Sequence, residues 1–276
     1  MVKLVAIDMD GTLLNNEKVI MPKQKEAIKK AIDKGVEIVI CTGRPKFGAM
    51  PLYESLELGD KNEYIILNNG CSIYKTKNME LIDYFELTKE EIKWLYSLKK
   101  DFNIDFTITT EEHFYFVAEE DEIPNERTVF DSKVVFCPLT KISVDEAVKS
   151  GEIIFKGMFT GEPGEIDKFE ASLTEKMKEK ITFIRSQPYI VEALPLDANK
   201  KTGLQKLLEK LEKKIEIKDV MTIGDENNDI EMLEFAGIGV AMGNAKQHIK
   251  DKADYVTDTN ENDGVAKVIE KFILNK

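Results

Sequence analysis

Four short apolar runs set the frame of this chain. Leu4–Ile7, Val36–Cys41, Tyr64–Leu67 and Val220–Ile223 are nearly continuous in hydrophobic residues, the pattern of strands buried on both faces of a parallel sheet. Between the first two, Pro22 opens a helix with Ala27, Ile28, Ala31 and Ile32 on one face, and Gly35 closes it. After residue 199 the alternation resumes. The periodicity predicts a helix from Lys200 with Leu204, Leu207, Leu208 and Leu211 on one face, a helix over 230–235, a strand over 239–241 and a closing helix over 265–274. Strands alternating with helices imply parallel βαβ units.

The middle reads differently. Leu81–Phe85 predicts a strand, and Thr88-Lys89-Glu90-Glu91 a capping box that opens a helix through Trp94 and Leu98. Ile104–Thr109 and Phe114–Ala118 alternate like antiparallel strands with one covered face. Ile153–Phe159, Ile181–Arg185 and Tyr189–Leu194 read as further strands, with one charged helix over 165–180. The expected fold class is therefore α/β: a doubly wound parallel-sheet domain built from both ends of the chain, residues 1–82 plus 194–276, interrupted by an α+β module over 83–193.

Composition narrows the class. The 276 residues are 42% hydrophobic, enough for a globular core, and no apolar run is long enough to span a bilayer. The N-terminus lacks the pattern of a signal peptide. Acidic residues outnumber basic ones 51 to 39, a formal charge of -12, which argues against a nucleic-acid partner. Cys41, Cys71 and Cys137 are widely spaced and odd in number, as expected of reduced thiols in a cytoplasmic protein. His113 and His248 have no triad or ligand spacing, so chemistry needing a histidine base is not expected.

The candidate chemistry lies where the strands end. Asp8-Met9-Asp10-Gly11-Thr12, Thr42-Gly43, and Gly224-Asp225 each follow an apolar strand. In an open parallel sheet, ligands bind beyond the carboxyl ends of the strands, so these segments should gather at one edge. Carboxylates hold Mg²⁺ and also serve as nucleophiles in phosphoryl transfer. Asp8 and Asp225 are the expected ligands of a Mg²⁺ that screens a carboxylate nucleophile from a phosphate dianion. The Thr42 hydroxyl, the Gly43 N–H, a lysine and a side-chain amide could bind the phosphoryl oxygens, and Asp10 could serve as acid and base.

DMDGTLL at residues 8–14 and its flank, CTGR at 41–44, NKKTGL at 199–204 and IGDENND at 223–229 resemble, in order, the four motifs of haloacid dehalogenase-like phosphatases. The long insertion between the second and third motifs resembles the α/β-capped, Cof-type sugar-phosphate phosphatases. The likeness extends over essentially the whole chain, including Asn68-Asn69-Gly70 and Gly239–Ala245. It implies a Rossmann-like core with an inserted mobile cap, and a Mg²⁺-dependent phosphatase working through an aspartyl-phosphate. Residue by residue it implies Asp8 as nucleophile and metal ligand. It makes Asp10 the acid/base and a ligand through its carbonyl, and Asp225 a metal ligand. Met9 N–H, Thr42, Gly43, Lys200 and Asn228 would bind phosphate, and Asp229 would support the metal. Lys200 rather than Lys201 is the motif lysine because Asn199, Thr202 and Gly203 frame it; Lys201 stands where the family has glycine. Arg44 and Asn69 are candidates either for holding a loop or for touching substrate. The expected partner is a small phosphorylated metabolite, with no nucleic acid and no membrane, and the expected assembly a monomer or weak homodimer. Two alternatives stand beside hydrolysis: a phosphomutase, which would need a second cationic phosphate site, and a phosphometabolite sensor without turnover.

Overall fold

The computed structural model describes residues 1–59 and 64–275. It divides into two units: Met1–Gly43, Met50–Asp83 and Asn199–Lys276 form the first, and Arg44–Ala49 with Tyr84–Ala198 the second.

The first unit is built on an eight-stranded sheet ordered β14-β13-β12-β1-β2-β3-β4-β5. Its elements before the second unit are β1 (Leu4–Ile7), α1 (Pro22–Asp33), β2 (Glu37–Cys41), α2 (Lys46–Glu54), β3 (Tyr64–Leu67), β4 (Ser72–Lys75) and β5 (Glu80–Tyr84). The first turn of α2 belongs to the second unit. β1 lies between β2 and β12, parallel to both. The chain therefore winds outward in two directions from β1, through β2 and β3 on one side and β12 to β14 on the other. That reversal of strand order creates a crevice at the carboxyl ends of β1 and β12. β4 returns antiparallel to β3, which ends the parallel run.

The second unit begins with α3 (Lys89–Leu98), β6 (Ile104–Thr109), β7 (Phe114–Val117), α4 (Glu126–Val134), β8 (Leu139–Ile142) and α5 (Val144–Lys149). It ends with β9 (Lys156–Gly161), α6 (Pro163–Ser172), α7 (Glu175–Lys178), β10 (Ile181–Gln187) and β11 (Ile190–Pro195). Its sheet runs β10-β11-β9-β6-β7-β8. One face of that sheet packs Phe106, Ile108, Phe159 and Val191 against Ile92, Leu95, Ile166 and Phe169 of the helices. The capping box at Thr88 forms as expected.

Three features differ from the sequence reading. β8 joins β7 in parallel, so the sheet is mixed. All six residues of β6 are buried, so both faces of the strand are covered. The second face carries Asp105, Thr107 and Thr109. α4, whose capping Asn125 N–H donates to Asp105 Oδ2 at 2.8 Å, packs by β9 with an inverted side: Thr128, Asp131 and Ser132 are buried while Val129, Phe130 and Val134 are exposed. The helix expected over 165–180 is two, because the backbone turns extended at Leu173, which is buried.

The chain then returns to the first unit as α8 (Lys200–Lys210), β12 (Val220–Gly224), α9 (Ile230–Phe235), β13 (Ile238–Ala241), α10 (Gln247–Lys250), β14 (Tyr255–Val256) and α11 (Gly264–Ile269). One face of its sheet packs Leu4, Ala6, Val39, Ile66 and Val220 against Leu204 and Leu207 of α8 and Met232 of α9. α1 and α11 pack together with Ile28, Ala31, Val265 and Val268 buried.

Candidate functional site: a buried carboxylate–lysine cluster

The end of β1 is held in register by the Asp8 N–H, which donates to Ile223 O at 3.0 Å and so continues the ladder with β12. The next turn brings Gly11 against β12. Gly11 has φ +79°, and a Cβ there would lie 2.3 Å from Asp225 Oδ2, so both conformation and space demand glycine. Thr12 then donates its hydroxyl to Asp225 Oδ1 at 2.7 Å.

Lys200 enters as the first residue of α8, with Asn199 capping that helix through the Thr202 N–H at 2.9 Å. Its ammonium lies 2.6 Å from Asp8 Oδ1 and 2.6 Å from Asp229 Oδ1, and it is only 1% exposed. Lys201 points elsewhere, its Nζ 6.0 Å from the centre of the Phe235 ring. The start of α8 is set by the Asn68-Asn69-Gly70 turn, whose three residues all have positive φ. A Cβ on Gly70 would lie 2.0 Å from Asn199 O. Gly70→Ala is therefore expected to cost at least about 2 kcal/mol through strain and overlap, lowering the melting temperature by roughly 5 °C or more. A melt within 1 °C of wild type would contradict this account of the turn.

Asp8, Asp225 and Asp229 offer oxygens that lie within 4.8 Å of one another, all buried. Three carboxylates face one lysine, so the cluster carries an excess of negative charge. Burial raises the Asp8 carboxyl well above its ordinary range, against the pull of Lys200 and with the help of Asp229 and Asp225. Burial likewise raises Asp225 to about 7, opposed by the Thr12 hydroxyl and reinforced by Asp229. Burial would discharge Lys200, but Asp229 and Asp8 outweigh it and hold the ammonium firmly protonated. Burial pushes the Cys41 thiol up to about 12, which removes it as a nucleophile.

Uncompensated buried carboxylates with hard oxygen donors suit a divalent cation. Asp8, Asp225 and Asp229 offer the oxygens that could hold one. Asp229 is already engaged: Oδ1 by Lys200, and Oδ2 by the N–H groups of Asp225 and Glu226 at 2.9 and 3.1 Å. It orders the turn that presents Asp225.

A second group gathers around Asn69. Its N–H donates to Thr42 O at 3.0 Å, and its Oδ1 accepts from Asn228 Nδ2 at 2.9 Å. The same Oδ1 would lie 2.8 Å from a Cβ on Gly43, so only glycine allows this approach. Thr42, Asn69 and Asn228 thus form one hydrogen-bonded set with Asn69 as the tie, and Gly43 lies against the Asn69 side chain. Met9 is wholly buried. The Asp10 side chain is 37% exposed and stands apart from the three buried carboxylates. Arg44 groups with the second unit, donating to Gly48 O at 3.3 Å and Val134 O at 3.5 Å.

Two contributors carry roles that the sequence did not disclose. Thr12 lies inside the first motif, but its bond to Asp225 spans 213 residues. Asn244 lies inside the 239–245 segment and donates to Gly11 O at 2.8 Å and Asp225 Oδ2 at 3.3 Å. It ties the turn after β1 to the end of β12.

Comparison with known proteins agrees in fold and family. Residues 5–269 match the family described as haloacid dehalogenase-like hydrolase. The 5-amino-6-(5-phospho-D-ribitylamino)uracil phosphatase YcsE of Bacillus subtilis (strain 168) is 36% identical, covering 99% of this chain and 96% of its own. A haloacid dehalogenase-like hydrolase from Bacteroides thetaiotaomicron superposes with a TM-score of 0.85 at 28% identity, over 99% of this chain and 100% of that one. The sugar phosphatase BT4131, of HAD subclass IIB, superposes with a TM-score of 0.81 at 26% identity, over 98% and 99%.

Proposed function

The chain belongs to the haloacid dehalogenase-like hydrolases and is a phosphatase, and from that premise we propose that it hydrolyses small phosphorylated metabolites, sugar phosphates first among them, with Mg²⁺ and through an aspartyl-phosphate. The observation that carries this reading is the buried Asp8–Lys200–Asp229 chain beside Asp225 at the crevice between β1 and β12.

Asp8 is the nucleophile. Its carboxylate forms a bond to phosphorus as the bond to the leaving oxygen breaks, and Asp10 gives that oxygen a proton. Asp10 then takes a proton from the water that attacks the phosphoaspartate, which frees phosphate and restores Asp8. Lys200 favours the ionised form of Asp8 and, with the Met9 N–H, Thr42, Gly43 and Asn228, binds the phosphoryl oxygens where charge develops. Asn69 holds Thr42 and Asn228 in common register. A Mg²⁺ held by Asp8, Asp225 and the Asp10 carbonyl would screen the repulsion between the nucleophile and the phosphate dianion. The second unit is the cap that selects the leaving group.

Two further observations support parts of this reading. The phosphomutase alternative needs a cationic second phosphate site, but both arginines of the inserted module are committed to carboxylates. Arg185 pairs with Asp167 at 2.9 Å and Glu170 at 2.6 Å, and Arg127 with Glu162 at 3.4 Å. All three cysteines are free thiols, as a reducing cytoplasm would keep them; among the described residues no helix is long and apolar enough to cross a membrane.

Removal of metal tests the reading. Hydrolysis of p-nitrophenyl phosphate should fall to background in excess chelator and return when Mg²⁺ is restored. Full activity in rigorously metal-free protein would refute the metal-assisted mechanism, and no phosphate release with Mg²⁺ would leave the sensor alternative standing.

A further inference from the structure

Asp10 has a partner that the mechanism above does not use. Lys18 Nζ donates to Asp10 Oδ1 at 2.8 Å. Both side chains are partly exposed, at 55% and 37%, and an exposed ion pair contributes little to stability. The backbone that carries Lys18 is nonetheless closely held.

Lys18 has φ +59°, a conformation that long side chains rarely adopt. It is held there by a tight hairpin. Asn15 N–H donates to Val19 O at 3.1 Å, Lys18 N–H to Asn15 O at 2.9 Å, and Val19 N–H to Asn15 Oδ1 at 2.9 Å. β-Bridges from Asp10 to Leu14 and from Leu14 to Ile20 set the hairpin against the Asp10 turn. A hydrogen-bonded chain then fixes it to the far side of the cluster. Asn260 Nδ2 donates to Leu14 O at 2.9 Å, Asn260 N–H to Asn244 Oδ1 at 3.0 Å, and Asn244 Nδ2 to Asp225 Oδ2 at 3.3 Å. The backbone at Leu14, at the base of the hairpin, is thus tied to Asp225 through Asn260 and Asn244, and from that hairpin Lys18 reaches Asp10.

We propose that Lys18 is a positioning residue: it orients the Asp10 carboxyl group for proton transfer to the leaving oxygen. This rests on the reading of the enzyme as a phosphatase with Asp10 as its acid. As the Asp8 oxygen–phosphorus bond forms and the ester P–O bond breaks, the proton passes from Asp10 to the departing oxygen. A misaimed carboxyl group loses part of the 10²–10⁴-fold that a well-placed acid supplies, roughly as general acid catalysis is measured elsewhere. The loss depends on the leaving group. Nitrophenolate departs without a proton, whereas the more basic phenolate benefits from one.

The test compares kcat/KM for phenyl phosphate and p-nitrophenyl phosphate, with Mg²⁺, in wild type, Lys18→Met and Lys18→Arg. In Lys18→Met the phenyl to p-nitrophenyl ratio should fall about tenfold. Lys18→Arg, which keeps a donor and a charge, should hold the ratio within about threefold of wild type. Melting temperatures of the variants confirm that each is folded, and Lys18→Gln serves as a second neutral variant. A ratio equal to wild type in the neutral variants, whether both rates fall together or neither changes, overturns the positioning role. Wild-type protein that releases no phosphate from either ester overturns the phosphatase reading itself.

Discussion

Asp8→Asn should lower kcat on the order of 10⁴-fold or more and leave the protein folded. The amide keeps the shape of the side chain but is a very poor nucleophile. The fold should tolerate the change because Asp8 sits among three carboxylates served by one lysine, and its carboxyl is already raised by burial. Removing one charge relieves that excess, and Lys200 retains Asp229 at 2.6 Å. The melting temperature should therefore stay within a few degrees of wild type or rise. The measurements are steady-state kinetics in Mg²⁺ and a thermal melt on the same preparation. Near-wild-type turnover would remove Asp8 from its assigned role, and an unfolded variant would show that the carboxylate is structural.

Lys200→Ala should lower kcat/KM on the order of 10²-fold or more, and Lys201→Ala only a few-fold. The two lysines are neighbours in sequence but not in environment. Lys200 is 1% exposed and bridges Asp8 and Asp229, whereas Lys201 is partly exposed and reaches toward Phe235. Removing Lys200 deletes the pre-placed cation from a water-poor cluster and leaves buried carboxylates without their counter-charge. Breaking a buried pair from one side costs about 3–5 kcal/mol. The variant should therefore also melt at lower temperature. Lys201→Ala should change activity only through weak long-range attraction of an anionic substrate. Measured at matched Mg²⁺ and ionic strength, a crippled Lys201→Ala with an active Lys200→Ala would reverse the assignment.

How much of this was legible in the sequence depends on whether a feature is local. Leu4–Ile7, Tyr64–Leu67 and Val220–Gly224 are continuous or nearly continuous apolar runs that end at polar or glycine residues, and each is a strand of the first sheet. Because a parallel α/β sheet collects its strand ends along one edge, the gathering of Asp8 and Asp225 follows from those runs alone. α4 was not legible because its buried residues, Thr128, Asp131 and Ser132, are polar and its exposed ones include Val129, Phe130 and Val134. Hydrophobic periodicity presumes the reverse. β4 and β14 are too short to carry a period, with four and two residues. The second unit's claim on Arg44–Ala49 was also invisible, since nothing in that segment's composition separates it from its neighbours. The ties made by Thr12, Asn244 and Lys18 depend on contacts between segments that only the fold brings together. Thr12 and Asn244 lie inside recognised motifs, so their presence was signalled and their partners were not.

The central claim is that phosphate passes through Asp8, and covalent trapping tests it most directly. Wild-type protein turning over p-nitrophenyl phosphate with Mg²⁺ would be quenched in acid within the first turnovers, digested and analysed by mass spectrometry. The account predicts one phosphoryl group on the peptide that contains Asp8, labile at alkaline pH as an acyl phosphate is, and absent from Asp8→Asn. Turnover with no phosphorylated peptide at any quench time, or with the phosphoryl group on another residue, would contradict it.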